Sequence, residues 1–590
     1  MKSVIKTIKF GIKVLVIAIL IIFTFFALSK LVTGLIYMIS DYDSWNRVYR
    51  LDYIEKKYTD QNFKVLKKDT LSEKDKLKDF DIMYETITEA LLLEERDVSD
   101  YGFNFVENYE RYRNEIIECE NDYEFLQVMK GILNDVPSCH TILCDPASCA
   151  GFEETVYKGG YNSGAYSEVD EKLIKANQLW FDKVSDYINE QESELKDVKT
   201  ICFEYINGMY NLNTRGATTY ELAEKYYTLE AINGNSVESY VKEHLGSYKL
   251  RYDAITKTNY REVLIFNDSI GEKCVLTLKS ESGETTEITA YGEIENEELT
   301  LYASQIYAEA NEETADSVQS SVLETPEYTD KEFRGIGMYA YLNDSILYVF
   351  YADQNIEDVR YMREFLKIIE YDTLILDLRG NGGGVSSFTS EYIYPLFFTK
   401  DITMVSERYG IVNHETELSE SSFYYNENKD NVKYDCEKVK TDIFGKEKNM
   451  FKCTVSQKYS GGGGCDPDVY VLINHSTYSE ADNTAYFFKT YTDAVVIGTN
   501  TGGEGYSSFV YKTLPCSGFT FSYTPFLPNE PERTIIGTTP DYYIEETLDN
   551  FRKRIEMEHS GRFENRLKWD NVLIETLDII KEKEKNNPAE

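Results

Sequence analysis

The chain has 590 residues, with 102 acidic against 62 basic side chains and a formal net charge of −40 at pH 7. That excess leaves no basic stripe for phosphates, so nucleic acid is excluded as a partner. An aromatic content of 14 %, including 49 tyrosines, favours folded domains over disorder, and the length suits about three or four of them.

Lysines at positions 2, 6, 9 and 13 precede an apolar run at 14–29, and a second apolar run follows Lys30 to about residue 39. One reading is a cleaved signal peptide ending at Ala27-Leu28-Ser29. The hydrophobicity beyond Lys30 favours the other, a signal-anchor helix across a bilayer about 30 Å thick. The lysine flank then stays cytoplasmic, which makes the chain a single-pass cell-membrane protein with the part beyond the helix extracytoplasmic. Residues 41–79 read as a charged, helical stalk.

Helical periodicity dominates 80–150 and predicts a helical cap. Phe125, Leu126, Met129, Ile132 and Leu133 recur every 3.6 residues, behind a start that Asn121 and Glu124 cap. His140 follows this helix in SCHTILCD. A helical linker is expected over 151–200, then short strands around one helix over 201–295. Residues 296–330 are acidic and serine-rich and read as a linker.

From 331 to 580 the pattern is that of a layered α/β domain. ILYVFY is a strand, 356–369 an amphipathic helix and TLILDL the next strand. This second strand ends in an Asp377/Arg379 pair and breaks into GNGGG. A buried strand that stops at glycine presents bare N–H groups, suited to an oxyanion or a phosphate. Neither GxxxxGK[ST] nor the spacing of GxGxxG is present, which disfavours a nucleotide loop. An insertion at 410–465 ends in GGGGC. The strand VYVLIN (469–474) then leads through HSTY to Ser479, on the turn before a helix from Glu480 to about Tyr491. A serine there has its hydroxyl exposed, with the next N–H pointing toward whatever it attacks. The alternative is a plain helix N-cap, with Asp482 as the third residue of a capping box.

Together, LDLRGNGGG, VYVLIN…STYSEAD and VVIGTNTGGEG resemble the tail-specific, or C-terminal-processing, serine peptidases, whose other branch is the tricorn core protease. The resemblance covers about 331–547. It implies an α/β chain with a crotonase-like catalytic domain, a helical cap and a PDZ-like domain, behind the N-terminal transmembrane helix. LEAINGNSVESYV followed by VLTLKSESGETTEIT resembles a PDZ domain at 201–295, although no GLGF loop is evident. By resemblance Ser479 is the nucleophile, and amides of Gly383, Gly384 and Glu480 form the oxyanion hole.

The chain departs from the processing branch, whose lysine base lies in a TFGKG loop 25 residues after the nucleophile. TGGEG stands there instead, with Glu504 at the lysine position. A glutamate with an ordinary pKa of about 4.3 is a poor base for a serine hydroxyl. His140 resembles the catalytic base of the "DGHT" segment in the tricorn-type branch, with Ser138-Cys139 replacing Asp-Gly. Absence of the loop lysine and presence of this histidine together favour a Ser–His site. His475, four residues before Ser479, is the rival, but it lies on the same turn. A glutamate shortly before GVxPD orients the histidine in that branch. Here Gly537 and Pro540-Asp541 are in register and Thr534 occupies the usual position. Glu532 faces the same side if the segment is extended, with Glu530 in reserve.

Ten cysteines in an exported chain permit disulfides, whose pairing is not legible. No CxxC pattern occurs, so neither a metal nor a cofactor is expected, and Cys139 is disfavoured as a nucleophile beside its neighbour His140. The expected function is a membrane-anchored serine endopeptidase acting on extended polypeptides bound by β-augmentation. The alternative is a catalytically inactive, exported peptide-binding scaffold of the same fold. A third reading, an acyl-transferring crotonase-type enzyme, conflicts with the export signal.

Overall fold

The computed structural model describes residues 63–67, 70–94, 98–144, 171–195, 199–213, 228–269, 271–292 and, with interruptions, 338–586. The longer interruptions are 355–361, 413–431, 442–446, 460–466 and 554–567. The expected flank and membrane helix at 1–40, most of the stalk, the linker at 296–330, most of the 356–369 helix and the GGGGC stretch lie outside the described residues. No helix among the described residues is long and apolar enough to cross a membrane. The chain divides into two units, Met1–Asn62 with Cys149–Ile174, and Phe63–Ser148 with Lys175–Glu590. Apart from the first residues of α4, the elements below belong to the second.

The helical part contains α1 (Glu73–Ala90), α2 (Tyr109–Glu118) and α3 (Asp122–Asn134). It begins before residue 80, inside the stretch expected to be a charged, helical stalk. The charges of α1 are used internally. Buried Asp79 accepts from the Cys516 and Ser517 amides at 2.9 and 2.6 Å, and Lys76 donates to the carbonyls of Cys119 and Asn121. Buried charges persist where they are paired in this way. Asn121 caps α3 by accepting from the Glu124 amide at 2.9 Å, and the Glu124 carboxylate returns to the Glu120 amide at 2.6 Å. The apolar stripe of α3 is buried.

After α4 (Glu171–Leu195) come β1 (Thr200–Ile206), β2 (Met209–Asn213), β3 (Thr228–Ile232), β4 (Asn235–Ser236), α5 (Val237–Glu243), β5 (Leu250–Asp253), β6 (Thr258–Arg261), β7 (Val263–Asn267), β8 (Lys273–Lys279) and β9 (Thr285–Tyr291). An antiparallel sheet runs β2-β1-β7-β9-β8-β3-β4, and β5–β6 forms a separate hairpin.

The remaining elements are β10 (Met338–Tyr341), β11 (Ile346–Phe350), β12 (Thr373–Asp377), β13 (Ile402–Ile411), β14 (Val432–Thr441), β15 (Lys448–Tyr459), β16 (Asp468–Ile473), α6 (Glu480–Tyr491), β17 (Val495–Gly498), β18 (Val510–Thr513), β19 (Thr520–Tyr523), β20 (Leu527–Pro528), α7 (Arg533–Ile536), β21 (Tyr542–Tyr543) and α8 (Asn571–Asn586). The main sheet runs β10-β11-β12-β16-β17-β21, parallel throughout except for β10 at its edge. Its central strands are apolar on both faces, as parallel strands covered on both sides must be. Leu374, Leu376, Val469, Val471 and Ile473 pack with Ala485, Phe487 and Phe488 of α6. With period two, Ile375, Tyr470 and Leu472 point the other way, onto Val572, Leu573 and Ile580 of α8. The result is a mixed α/β fold with helices on both faces of the sheet. The expected insertion at 410–465 supplies β14 and β15 of a second sheet, β14-β15-β13-β20, in which Cys436 and Cys453 stand opposite one another and are joined by a disulfide.

Candidate active site

Three adjacent parallel strands end at one place. Asp377 of β12 pairs with Leu472 of β16, and Ile473 pairs with Gly498 of β17, so the loops after these strands leave the same edge side by side. The first is the glycine loop, the second carries Ser479 and the third is TGGEG. Arg379, at the start of the glycine loop, bonds Asp377 and Asp570 at 2.6 Å each. The charged pair seen in the sequence is therefore a clamp between β12 and the residue before α8.

The Ser479 turn is held from both sides. The Tyr478 amide donates to the Asn381 carbonyl at 2.9 Å, and the Ser479 amide donates to the Gly503 carbonyl at 3.1 Å. The backbone of Ser479 takes φ 55° and ψ −122°, a strained conformation costing about 1–3 kcal/mol for a residue with a side chain. Ser479 occupies the N-cap position of α6, yet its hydroxyl makes no capping bond. That hydroxyl lies 3.1 Å from Nε2 of His140.

His140 reaches the site because the chain beyond it pairs with β19. The Cys144 amide donates to the Thr520 carbonyl at 2.8 Å, the Ser522 amide to the Ile142 carbonyl at 2.9 Å, and the Ser522 hydroxyl to the His140 carbonyl at 2.6 Å. His475, the rival base, points elsewhere. Its ring sits edge-on to Tyr260, with centroids 6.0 Å apart, and its carbonyl accepts from Arg251. Burial lowers its pKa.

The carboxylate at the histidine is Glu504, not Glu532. Oε2 of Glu504 lies 3.2 Å from Nδ1 of His140, and the Glu504 side chain is 1 % exposed. A buried carboxylate there favours the tautomer with a proton on Nδ1, leaving Nε2 to accept from the serine hydroxyl. Glu532 is exposed immediately before α7, and Glu530 is exposed as well. The period-two argument for Glu532 required an extended segment, whereas 533–536 is a helical turn.

Asp482 is neither a capping residue nor a catalytic one. It is fully buried and accepts from Thr501 Oγ1 at 2.5 Å, the Gly505 amide at 3.0 Å, the Thr538 amide at 3.0 Å, Thr538 Oγ1 at 2.7 Å and Arg533 at 3.3 Å. One carboxylate thus ties the helix behind Ser479 to the loop that carries Glu504. Nothing in the local sequence signalled this, because its donors lie 19 to 56 residues away.

The expected oxyanion amides divide. The Gly383 amide donates to Asn381 Oδ1 at 2.8 Å, so it is engaged. Gly383 instead gives close approach. With φ +98°, a Cβ added there would meet the Glu480 amide nitrogen at 2.7 Å and Ser479 Cβ at 2.8 Å. Glu480 N–H is the first amide of α6, where helical geometry supplies no acceptor. The Glu480 side chain is buried against Tyr394 and Asn483, and burial pushes its carboxyl up to about 8. Cys139 is a free thiol, and no cluster of His, Cys, Asp and Glu among the described residues is placed to hold a metal ion.

A hydroxyl on a strained strand-to-helix turn, paired with an imidazole that meets a buried carboxylate, is the arrangement of a serine-type hydrolase. The chain is a serine-type peptidase: residues 345–544 match the model of peptidase family S41, and the match contains Ser479, Glu504 and the glycine loop. Similar solved structures include mature CPAF (TM-score 0.46, 12 % identity, covering 82 % of this chain and 95 % of that one). The photosystem II D1 C-terminal processing protease matches with TM-score 0.30 and 13 % identity, covering 80 % of this chain and 93 % of that one. The tricorn protease matches with TM-score 0.30 and 14 % identity, covering 86 % of this chain and 37 % of that one. These scores are below 0.5 and carry no argument, so the peptidase reading rests on the sequence match over 345–544. None of the curated proteins matches.

Proposed function

We propose that the chain is a membrane-anchored serine endopeptidase working through Ser479, His140 and Glu504. The hydroxyl oxygen of Ser479 attacks the scissile carbonyl while Nε2 of His140 takes its proton. The same proton passes to the leaving amine, and water then hydrolyses the acyl-enzyme by the reverse sequence. Glu504 keeps the imidazole in the productive tautomer and stabilises the imidazolium. The Glu480 amide, with the Gly384 amide as second donor, receives the oxyanion. The observation that carries this reading is the unbroken chain from Ser479 Oγ to His140 Nε2 at 3.1 Å and from His140 Nδ1 to Glu504 Oε2 at 3.2 Å.

A histidine base with glutamate at the loop-lysine position supports a reading nearer the tricorn-type branch, on a crotonase-like domain. The sheet of β1–β4 and β7–β9, with α5, is read as the PDZ-like domain. The substrate is an extended polypeptide, consistent with the peptidase family whose model matches residues 345–544. The apolar run at 14–39 anchors the chain, and the Cys436–Cys453 disulfide suits an extracytoplasmic site. Incubation with an unfolded polypeptide, followed by mass spectrometry of new termini, tests the activity. Cleavage absent from Ser479→Ala is expected. No cleavage by folded, wild-type protein would favour the inactive scaffold.

A further inference from the structure

We propose that Lys249, which immediately precedes β5 outside the peptidase domain, is a positioning residue for His140. Its ammonium donates to the carbonyls of Leu133 at 2.6 Å, of Ser138 at 2.9 Å and of Thr141. Ser138 and Thr141 bracket Cys139 and His140, and the Thr141 amide closes the turn on the Ser138 carbonyl at 3.3 Å. Leu133 lies in the last turn of α3, where a cation is favoured by the helix dipole. A lysine ammonium has three N–H donors, and three carbonyls use them all. A neutral amine has two donors, and its lone pair would face the third oxygen.

The neighbouring residues extend the same clamp. Arg251 of β5 donates to the His475 carbonyl at 2.8 Å and lies over the Tyr478 ring, next to Ser479. Arg261 of β6 donates to Asp135 at 2.7 Å, at the end of α3. One hairpin therefore grips both the turn that carries the base and the turn that carries the nucleophile. Lys249 is bonded to backbone on either side of His140 and acts through it.

The charged and titratable groups facing Lys249 are Cys139 on the His140 turn, Asp135 at the end of α3, Glu504 in the TGGEG loop and Arg251 of β5. Burial outweighs the first three and lowers the lysine pKa to about 8. The third donor is thus lost as pH rises past neutrality. The inference rests on His140 serving as the base for Ser479.

The test measures the rate of fluorophosphonate labelling of the full chain between about pH 6.5 and 9.5, for wild type, Lys249→Arg and Lys249→Met, with thermal unfolding alongside. Expected are a wild-type rate that falls above about pH 8, a Lys249→Arg rate that does not, and a Lys249→Met rate lower by about 10- to 100-fold at neutral pH. A Lys249→Met protein that folds and labels at the wild-type rate would overturn the inference. So would an alkaline limb identical in wild type and Lys249→Arg, which decides the matter even if Lys249→Met does not fold. Absence of wild-type labelling at every pH would instead overturn the Ser479–His140 reading on which it rests.

Discussion

The Glu504 carboxylate meets the His140 imidazole at 3.2 Å, although 364 residues separate the two in the chain. A side chain that is a poor base for serine is well suited to hold a histidine. Glutamate at this loop position and a histidine from the helical part therefore act as one chemical unit.

Glu504→Gln should therefore fold normally and lose about 10³- to 10⁴-fold in turnover, because an amide no longer enforces the tautomer. Glu532→Gln should leave turnover unchanged. Steady-state kinetics on the same unfolded substrate compares them directly. Equal effects from the two substitutions would contradict the placement of the carboxylate.

Gly383→Ala is expected to abolish activity. The added methyl would crowd the Glu480 amide and Ser479 Cβ, at a backbone φ of +98° that disfavours any side chain. Strain of this kind costs about 1–3 kcal/mol. A lowered urea midpoint together with lost activity is the expected pair of results.

Asp482→Ala should destabilise by about 3–5 kcal/mol, the range for breaking a buried ion pair, because it removes the carboxylate that Arg533 meets at 3.3 Å. Denaturant unfolding measures it. Residual activity at low temperature should also fall, since the same carboxylate holds Gly505 beside Glu504.

Glu480 gives a pH dependence of known sign. Its folded-state pKa is raised to about 8 by burial, above the ordinary 4.5, so the native state binds more protons than the unfolded state between those values. Its contribution to stability is fully present below about pH 4.5 and is lost as pH rises through about 8. Urea midpoints should fall across that window in wild type. Glu480→Gln, which keeps the amide contacts with no ionisable proton, should flatten this component. An unchanged slope would contradict the assignment.

Much of this arrangement was legible in the sequence because it is local. The apolar runs of β12 and β16, their glycine and serine exits, and α3 with its Asn121 cap all announce themselves within a dozen residues. His140 was legible through what surrounds it. Glu504 is visible in the sequence, but its role is not, because a glutamate is a poor base for serine and its partner, His140, lies 364 residues away. Period-two spacing points to Glu532 only in an extended segment, and the helical turn of α7 directly after it breaks that spacing. Asp482 and Lys249 left no local trace. Their partners come from distant segments, and a buried charge with distant partners looks in sequence like a solvated one. The charged start of α1 misled in the same way.

The most direct measurement is fluorophosphonate capture on the full chain, with the modified residue located by peptide mass spectrometry. A single adduct on Ser479, with the rate reduced at least a thousandfold in His140→Ala and in Glu504→Gln but not in His475→Gln, is the predicted result, about the scale seen when a triad member is removed. Capture at another residue, or undiminished capture of Ser479 without His140, would contradict the proposed site.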